Sequence, residues 1–175
     1  MKPLTQHRWR RLVVAATAVA VVATVAAACA KNDREPVCGA RIDVSTANDE
    51  QLQRFASDLK LRHVDAFVNT VNYIHLHGAL PPCFITKGEA RKLGWQPGRR
   101  LWDVAPGRSM GGNRFGNREN RLPRKYERRY LEADLDYDGG RRGAKRLVFV
   151  SREPGAWWIW VTVDHYNSFQ RVPTP

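Results

Sequence analysis

The hydrophobic pattern of this chain changes its period about halfway along its length, and this change restricts the possible folds more than any other feature. In the first half, apolar residues recur at helical spacing over 47–61 and 64–77. A third, shorter helix is predicted over 86–93, where Thr86 and Glu89 have the spacing of a capping box. The second half contains short runs rich in aromatic and β-branched residues. Helices followed by strands predict an α+β fold, in which N-terminal helices pack on a single antiparallel β-sheet of about five strands.

Turn sequences separate the predicted strands. Asp138-Gly139-Gly140 and Pro154-Gly155 contain the residues that favour tight turns. Short strands joined by such turns are typical of an antiparallel sheet. The strand-like runs are a glycine-rich segment over 102–115, followed by 130–137, 146–150, 157–163 and 166–172.

The N-terminus has the features of an export signal. Four basic residues precede an uncharged run over 12–28, which ends in three alanines of the kind that signal peptidases require. A retained transmembrane anchor is the alternative, because the run has about the length of a short membrane-spanning helix. We predict a signal peptide or lipoprotein signal over 1–29, a linker or tail with a possible helix over 30–60, and one folded domain over 61–173.

The three cysteines bear on the compartment of the protein. Cys29 directly follows the three alanines and is a candidate for lipidation, which would anchor the chain at a membrane surface. Cys38 and Cys83 would then be an even pair in an oxidising compartment, so that a disulfide between them is plausible. Two free thiols are the alternative. Together these features predict an extracellular or cell-surface protein.

The chain is strongly basic, with a formal net charge of +12. Only four of the basic residues lie in the predicted leader, so the remainder of the chain is also basic. An excess of positive charge favours anionic partners such as RNA, DNA, anionic lipid or a cell-wall polymer. A basic surface that is merely solvated is the alternative, since net charge by itself specifies no partner.

One set of ionisable residues in the strand region could carry out chemistry. Within 130–137, the alternation of a strand would place every second residue on one polar face, which would carry Tyr130, Glu132, Asp134 and Asp136. Arginines follow this segment, and His165 lies near the end of the chain. A carboxylate that accepts a proton, an imidazolium that donates one and arginines that offset phosphate charge would suit phosphoryl transfer. The alternative is a solvated sheet face with salt bridges.

Two common kinds of site are excluded by the sequence. It has neither the cysteine and histidine spacing typical of zinc sites nor a phosphate-binding Gly-Lys-Ser or Gly-Lys-Thr loop. Neither a zinc site nor a nucleotide cofactor is therefore predicted.

A series of short motifs occurs in order over about 64–172. The motifs are ITKGEA (85–90), LGW (93–95), DVAPG (103–107), GG (111–112), Phe115, NRE (117–119), LP (122–123), EAD (132–134) and DHY (164–166). This series closely resembles the barnase and binase family of guanyl-preferring extracellular ribonucleases of bacilli, which have the microbial ribonuclease fold. Residues 1–60 lie outside the resemblance.

The resemblance implies a role for each matching catalytic residue. Glu132 would be the general base that removes the proton from the ribose 2′-OH, and His165 the general acid that protonates the leaving 5′-oxygen. Asp134 would hold the neighbouring arginines in place. The residues implied to bind the scissile phosphate are Lys87, Arg142 and Arg146.

The resemblance also implies a guanine pocket. Backbone amides of the loop over 115–119 would face guanine O6, and Glu119 would accept hydrogen bonds from the N1–H and N2–H₂ groups. Phe115 and Tyr166 would bracket the base, whereas Asn113 departs from the aspartate of the family. The implied substrate-binding residues are Asn113, Phe115, Asn117, Arg118, Glu119 and Tyr166.

The function that the resemblance implies is endonucleolytic cleavage of single-stranded RNA 3′ of guanosine, through a 2′,3′-cyclic phosphate that is then hydrolysed. The resemblance also implies a mechanism without any metal or cofactor. Such an enzyme would digest environmental RNA or act as a toxin, as a monomer, and a small acidic inhibitor of the barstar type would be a partner. The alternative from another class is a surface-tethered basic protein that binds RNA or another anionic polymer without cutting it.

Overall fold

The computed structural model describes residues 36–153 and 155–174. Helices precede most of the strands, as the change of hydrophobic period predicts. The helices are α1 (Asp49–Asp58), α2 (Val64–His77) and α3 (Lys87–Lys92), and the strands are β1 (Phe84–Ile85), β2 (Ser109–Arg114), β3 (Leu131–Asp134), β4 (Arg146–Glu153), β5 (Ala156–Thr162) and β6 (Gln170–Arg171). In this part of the chain, no helix is both long enough and apolar enough to cross a membrane.

The six strands form one sheet in chain order, which confirms the predicted α+β class. Neighbouring strands from β2 to β6 are antiparallel, whereas the two-residue strand β1 pairs parallel with β2. The sheet therefore has one more strand than the predicted five. The sequence pattern does not reveal β1, because two residues are too few to show an alternation.

Two of the predicted strands are shorter in the structure than in the sequence pattern. Within 102–115, only Ser109–Arg114 is a strand, because Leu101–Asp103 is a 3₁₀ helix and a turn follows it. The indole of Trp102 donates to the carbonyl of Arg108 across that turn. Within 166–172, only Gln170–Arg171 pairs with β5, because side-chain hydrogen bonds fold 164–168 into a turn.

The two faces of the sheet pack against different parts of the chain. Along β4, Leu147 and Phe149 belong to the core under α1 and α2, whereas Val148 and Val150 belong to a second core under the loop over 115–130. This alternation is the two-residue period of a strand. Because Glu132 pairs with Val148 across β3 and β4, its side chain lies on the face that is turned away from α1 and α2.

Helix α1 is part of the main core. Leu52 and Ala56 of this helix are fully buried and pack in the same cluster as residues of β4 and β5. The helix allowed for in 30–60 is therefore present, but it is not part of a linker or tail. The predicted domain boundary at residue 61 is wrong, because it would separate α1 from the sheet on which it packs.

Cys38 and Cys83 form the predicted disulfide, with their Cα atoms 5.5 Å apart. Cys38 is buried, and the adjacent Gly39 carbonyl accepts a hydrogen bond from the Asn69 side chain of α2. The bond therefore links the segment before α1 to the residue that directly precedes β1.

Replacing both cysteines by alanine is expected to lower the free energy of unfolding by roughly 2–4 kcal/mol. The loop that the disulfide closes spans 45 residues, and opening it restores conformational entropy to the unfolded chain. Urea unfolding of the double variant measures the change. A reducing agent should shift the wild-type protein toward the variant and leave the variant itself unaffected. Equal unfolding midpoints with and without the disulfide would contradict this expectation.

Candidate active site

Glu132 lies in the middle of β3 and is almost completely buried, with 7% of its surface exposed. Its Oε1 atom lies 3.2 Å from Lys87 Nζ, and its Oε2 atom accepts a 2.7 Å hydrogen bond from the Tyr166 hydroxyl. Burial of a carboxylate is costly unless it is paired and hydrogen-bonded. Both oxygens of Glu132 have such a partner, so its orientation is fixed by groups from α3 and from the turn before β6.

Lys87 is brought to this carboxylate by the first turn of α3. The capping box is present: Thr86 Oγ1 accepts from the Glu89 amide, and the Glu89 carboxylate accepts from the Thr86 amide. Asn113 of β2 adds a contact, because its Oδ1 atom accepts a 3.0 Å hydrogen bond from the Lys87 amide. Asn113 also pairs with Glu132 in the sheet. It therefore positions Lys87, whereas the sequence prediction placed it in substrate binding.

Asp134 lies at the end of β3 and holds two arginines. Its Oδ1 atom accepts a 2.8 Å hydrogen bond from Arg142 Nη2, and Oδ2 accepts a second bond from Arg142 Nε. Arg146 Nε lies 3.0 Å from Asp134 Oδ1 as an ion pair. The hydrogen bonds to Asp134 raise the pKa of Arg142. The predicted polar face thus exists, but Asp134 and Arg146 are buried in it and it is not a solvated surface.

The predicted face does not extend to its two outer positions. Tyr130 is fully buried and its hydroxyl donates to the Pro123 carbonyl. Asp136 lies beyond the end of β3 with a positive φ of 56°, and its carboxylate accepts from the amides of Arg62 and His63. Only the central pair, Glu132 and Asp134, faces the site.

His165 and Tyr166 are presented by a strained turn. Both have positive φ, at 56° and 73°, which is uncommon for residues other than glycine. Asp164 holds the turn, since its carboxylate accepts from the amide and hydroxyl of Ser168 and from the hydroxyl of Thr162. The bonds from Ser168, followed by that from Thr162, lower the pKa of Asp164 to about 2. The turn leaves the His165 side chain exposed.

Tyr166 connects the histidine to the carboxylate. Its ring lies 5.0 Å from the His165 ring, and its hydroxyl donates to Glu132. Burial, followed by the hydrogen bond to Glu132, raises the pKa of Tyr166 well above its ordinary value, so the hydroxyl stays protonated as a donor. The Tyr166 ring also stacks on the Phe115 ring, with the two centroids 5.2 Å apart. In this arrangement the two rings contact each other, so a base would have to part them in order to lie between them.

The loop over 115–119 forms one wall of a cleft of about 530 Å³. Asn117 is buried and has a positive φ, and its side chain both donates to the Leu122 carbonyl and accepts from the Leu122 amide. Asn117 therefore fixes the shape of the loop. Arg118 and Glu119 are exposed, and Glu119 faces the cleft that also contains Glu132.

A second cleft, of about 520 Å³, has a lining that shares no residue with that of the first cleft. It is lined by His165, Arg142 and Arg146, and it extends to Arg99 and Arg141, which are exposed. The residues implied to bind a scissile phosphate are thus divided between two clefts. Lys87 lies in the first cleft, together with Tyr166, and Arg142 and Arg146 lie in the second, together with the adjacent His165.

The sequence analysis missed three features of this site. These are the positioning role of Asp164, the hydrogen bond from the Tyr166 hydroxyl to Glu132, and the arginines of the second cleft, Arg99 and Arg141. Aspartate, asparagine and serine all favour turns, so their clustering at Asp164, Asn167 and Ser168 could have revealed the turn that Asp164 holds. Nothing in the sequence pattern indicates the other two, because they depend on which segments the sheet brings together. Among the described residues, no group of three histidine, cysteine or acidic side chains could hold a metal ion.

Comparison with known proteins agrees with this geometry. A family model described as ribonuclease matches residues 67–173. The chain is 38% identical over 130 residues to the ribonuclease of Bacillus intermedius, a match that covers 73% of this chain and 78% of that protein. It is 42% identical over 110 residues to the ribonuclease of Heyndrickxia coagulans, covering 62% of this chain and 97% of that protein. The chain therefore belongs to the bacterial ribonucleases of the barnase and binase type, and it is an RNA-cleaving enzyme.

Proposed function

We propose that the protein cleaves single-stranded RNA on the 3′ side of guanosine, first to a 2′,3′-cyclic phosphate and then to a 3′-phosphate. The observation that carries this proposal is the buried carboxylate of Glu132, held between Lys87 and Tyr166 beside an exposed histidine and two arginines that are paired with one aspartate. Such a set provides a proton acceptor, a proton donor and fixed positive charge around one phosphate.

In the first step, Glu132 removes the proton from the ribose 2′-OH. The 2′-oxygen attacks the adjacent phosphorus and forms a new P–O bond, while the bond from phosphorus to the 5′-oxygen of the next nucleotide breaks. His165 donates a proton to that leaving oxygen. Lys87, Arg142 and Arg146 offset the negative charge on the phosphate oxygens as the transition state forms. DNA lacks the 2′-OH and is not a substrate.

In the second step, water opens the cyclic phosphate and the two groups exchange roles. His165, now neutral, takes a proton from the water, and Glu132, now protonated, returns a proton to the 2′-oxygen. The products are a 3′-phosphate and a free 2′-OH, so both side chains finish in their starting states. The mechanism needs no metal ion, because the substrate supplies the first nucleophile and the side chains carry the protons.

The first cleft would recognise guanine. Glu119 would accept hydrogen bonds from the N1–H and N2–H₂ groups, a donor pair that adenine does not present in the same place. Backbone amides of the loop that Asn117 holds in shape would donate to O6. Because Phe115 and Tyr166 stack on each other, the base would stack against this aromatic pair from one side. The leaving strand would occupy the second cleft, where Arg99 and Arg141 lie beyond His165.

Replacing Glu119 by glutamine is expected to reduce the preference for guanosine roughly tenfold to a hundredfold, because the N1–H or N2–H₂ donors then lose a charged acceptor. The measurement is kcat/KM for GpU and ApU in both proteins. Glu127→Gln is the matched control, since this half-buried glutamate lies outside the lining of the cleft. An unchanged ratio of GpU to ApU in the Glu119 variant would contradict the assignment.

Cleavage of the dinucleotides GpU, ApU, CpU and UpU with EDTA present tests the proposed function as a whole. The expected result is cleavage of GpU ahead of the others, with a cyclic phosphate as the first product. A folded protein that binds RNA in a salt-dependent manner but cleaves none of the four would support the alternative of a non-catalytic binding protein. Cleavage that stops when EDTA is added would overturn the metal-independent mechanism.

We also propose that the protein is exported. The disulfide between Cys38 and Cys83 supports this, because such bonds form and persist in oxidising compartments. The predicted leader and the lipidation candidate Cys29 lie outside the described residues. The barstar-type inhibitor, the monomeric state and a toxic role stay predictions from the resemblance.

A further inference from the structure

Three cations lie over two aromatic rings on the active face of the sheet, outside the catalytic site. Lys125 Nζ and the Arg129 guanidinium carbon lie 5.5 and 5.0 Å from the centre of the Tyr126 ring. The Arg171 guanidinium carbon lies 4.5 Å from the Trp158 ring, which contacts Tyr126 edge-on at 5.4 Å. We name these five residues the cationic platform. Its cations are exposed, whereas Tyr126 is buried and Trp158 is half-buried.

The charge around the platform is not neutralised within the described protein. Residues 114–129 contain seven basic and two acidic residues. None of the three platform cations forms an ion pair with a carboxylate of the described residues, whereas Lys87, Arg142 and Arg146 each have one. Exposed cations that are positioned by aromatic rings and form no ion pair with a carboxylate are typical of a surface that binds a polyanion.

The sheet places the platform in line with Glu132. The register pairs Glu132 with Val148, Val148 with Trp160, and Trp160 with Arg171, so these residues form one row across four strands. Three strand spacings separate the ends of the row by roughly 14 Å, at about 4.8 Å each. A nucleotide that occupies the catalytic site does not reach that distance, but a longer strand does.

The wall of the guanine cleft is also connected to the platform. Arg114 lines this cleft, and its Nε atom donates a 3.0 Å hydrogen bond to the carbonyl of Arg128, beside Arg129. In the proposed mechanism the leaving 3′ strand occupies the second cleft, which shares no lining residue with the guanine cleft. The RNA on the 5′ side of the guanosine would then leave the guanine cleft next to the platform.

We propose that the cationic platform binds the RNA strand on the 5′ side of the cleaved guanosine, so that the enzyme favours internal guanosines over a guanosine at a 5′ end. This inference rests on the proposed function. An anionic membrane is a poorer fit, because membrane-binding surfaces combine cations with exposed apolar side chains. In the described part of the chain the exposed large apolar residues are Leu76 and Leu93, which belong to α2 and to the end of α3.

The test compares three substrates, GpU, the upstream-extended UpUpUpUpGpU and the downstream-extended GpUpUpUpU, in the wild-type protein and in the triple variant Lys125→Gln, Arg129→Gln, Arg171→Gln. At low salt, kcat/KM of the wild type is expected to be at least about tenfold higher for the upstream-extended substrate than for GpU. The triple variant loses this gain and cleaves GpU and the downstream-extended substrate as the wild type does. For the upstream-extended substrate, log kcat/KM decreases with log salt. In the triple variant this slope becomes less steep by about 2, since each of the three lost phosphate contacts with a single strand contributes about 0.7.

The matched control is Arg54→Gln, Arg91→Gln, Lys92→Gln, which removes the same charge from exposed positions on α1 and α3. It should keep the full gain, as should Arg129→Lys, Arg171→Lys, which preserves the charge. The proposal is overturned if the wild type shows no upstream gain, if the triple variant retains it, or if the control loses it equally. Binding to phosphatidylglycerol vesicles that the triple variant abolishes, with no change on the upstream-extended substrate, would assign the platform to a membrane instead. Failure to cleave GpU at all would contradict the proposed function. The platform is then tested separately, by the binding of the all-deoxy strand dUpdUpdUpdUpdGpdU, which has no 2′-OH and cannot be cleaved: equal binding by the wild type and the triple variant would overturn the proposal.

Discussion

Glu132→Gln and His165→Ala are each expected to lower kcat/KM for GpU by a factor of roughly 10²–10⁴. Glutamine keeps the shape of Glu132 and can still accept the hydrogen bond from Tyr166, but it does not take the proton from the 2′-OH. His165 is exposed, and no hydrogen bond to its ring connects it to other described residues. Its loss should therefore remove the proton donor and leave the fold unchanged.

The measurement is initial-rate cleavage of GpU, with the unfolding midpoint in urea recorded for each variant. His77→Ala is the control for His165, because His77 is also exposed but lies at the end of α2. The double variant should lose less than the product of the two single losses, since base and acid act in the same step. Cleavage by either single variant at close to the wild-type rate would remove that residue from the mechanism.

Asp134→Asn is expected to lower the free energy of unfolding by roughly 3–5 kcal/mol, as is typical when one partner of a buried ion pair is removed. The change leaves the guanidinium of Arg146, which is 5% exposed, and that of Arg142 without their carboxylate. Activity should also fall, because the two arginines then lose the group that aims them at the phosphate. Urea unfolding and GpU cleavage measure the two effects.

Asp103→Asn is the matched control for Asp134→Asn. Asp103 pairs with Arg100 at 2.7 Å, but 44% of its side chain and 64% of that of Arg100 are exposed. An exposed pair of this kind contributes at most about 1 kcal/mol, because water and salt screen it. Equal decreases in the free energy of unfolding of the two variants would show that burial of the Asp134 ion pairs does not increase the cost of removing the carboxylate.

Local signals in the sequence correctly predicted the segments that are governed by local interactions. Helix α2 occupies the predicted 64–77 and ends at Gly78, whose φ of +68° glycine adopts without strain. Helix α3 has the predicted capping box at Thr86 and Glu89. Each of these depends on residues within four positions of one another, so the pattern that specifies it can be read directly from the chain.

Strand lengths were predicted less well, because local turn chemistry competes with strand propensity. The aromatic run over 166–172 has the composition of a strand. The hydrogen bonds from Ser168 to Asp164 nevertheless fold its first part into a turn, and this turn is what brings His165 and Tyr166 to the site. A composition pattern cannot weigh these alternatives, since the outcome depends on whether a neighbouring strand is available for pairing.

The sequence by itself determined the fold class, the disulfide partners and, through the ordered motifs, the family and the candidate catalytic residues. Only the tertiary structure decided how those residues are paired. Tyr166 donates to Glu132 across 34 positions of the chain, and Lys87 reaches the same carboxylate across 45. Such contacts follow from the register of the sheet and from which segments pack on it. Because burial makes an unpaired charge costly, these long-range partners, which no local pattern encodes, determine what each ionisable group can do.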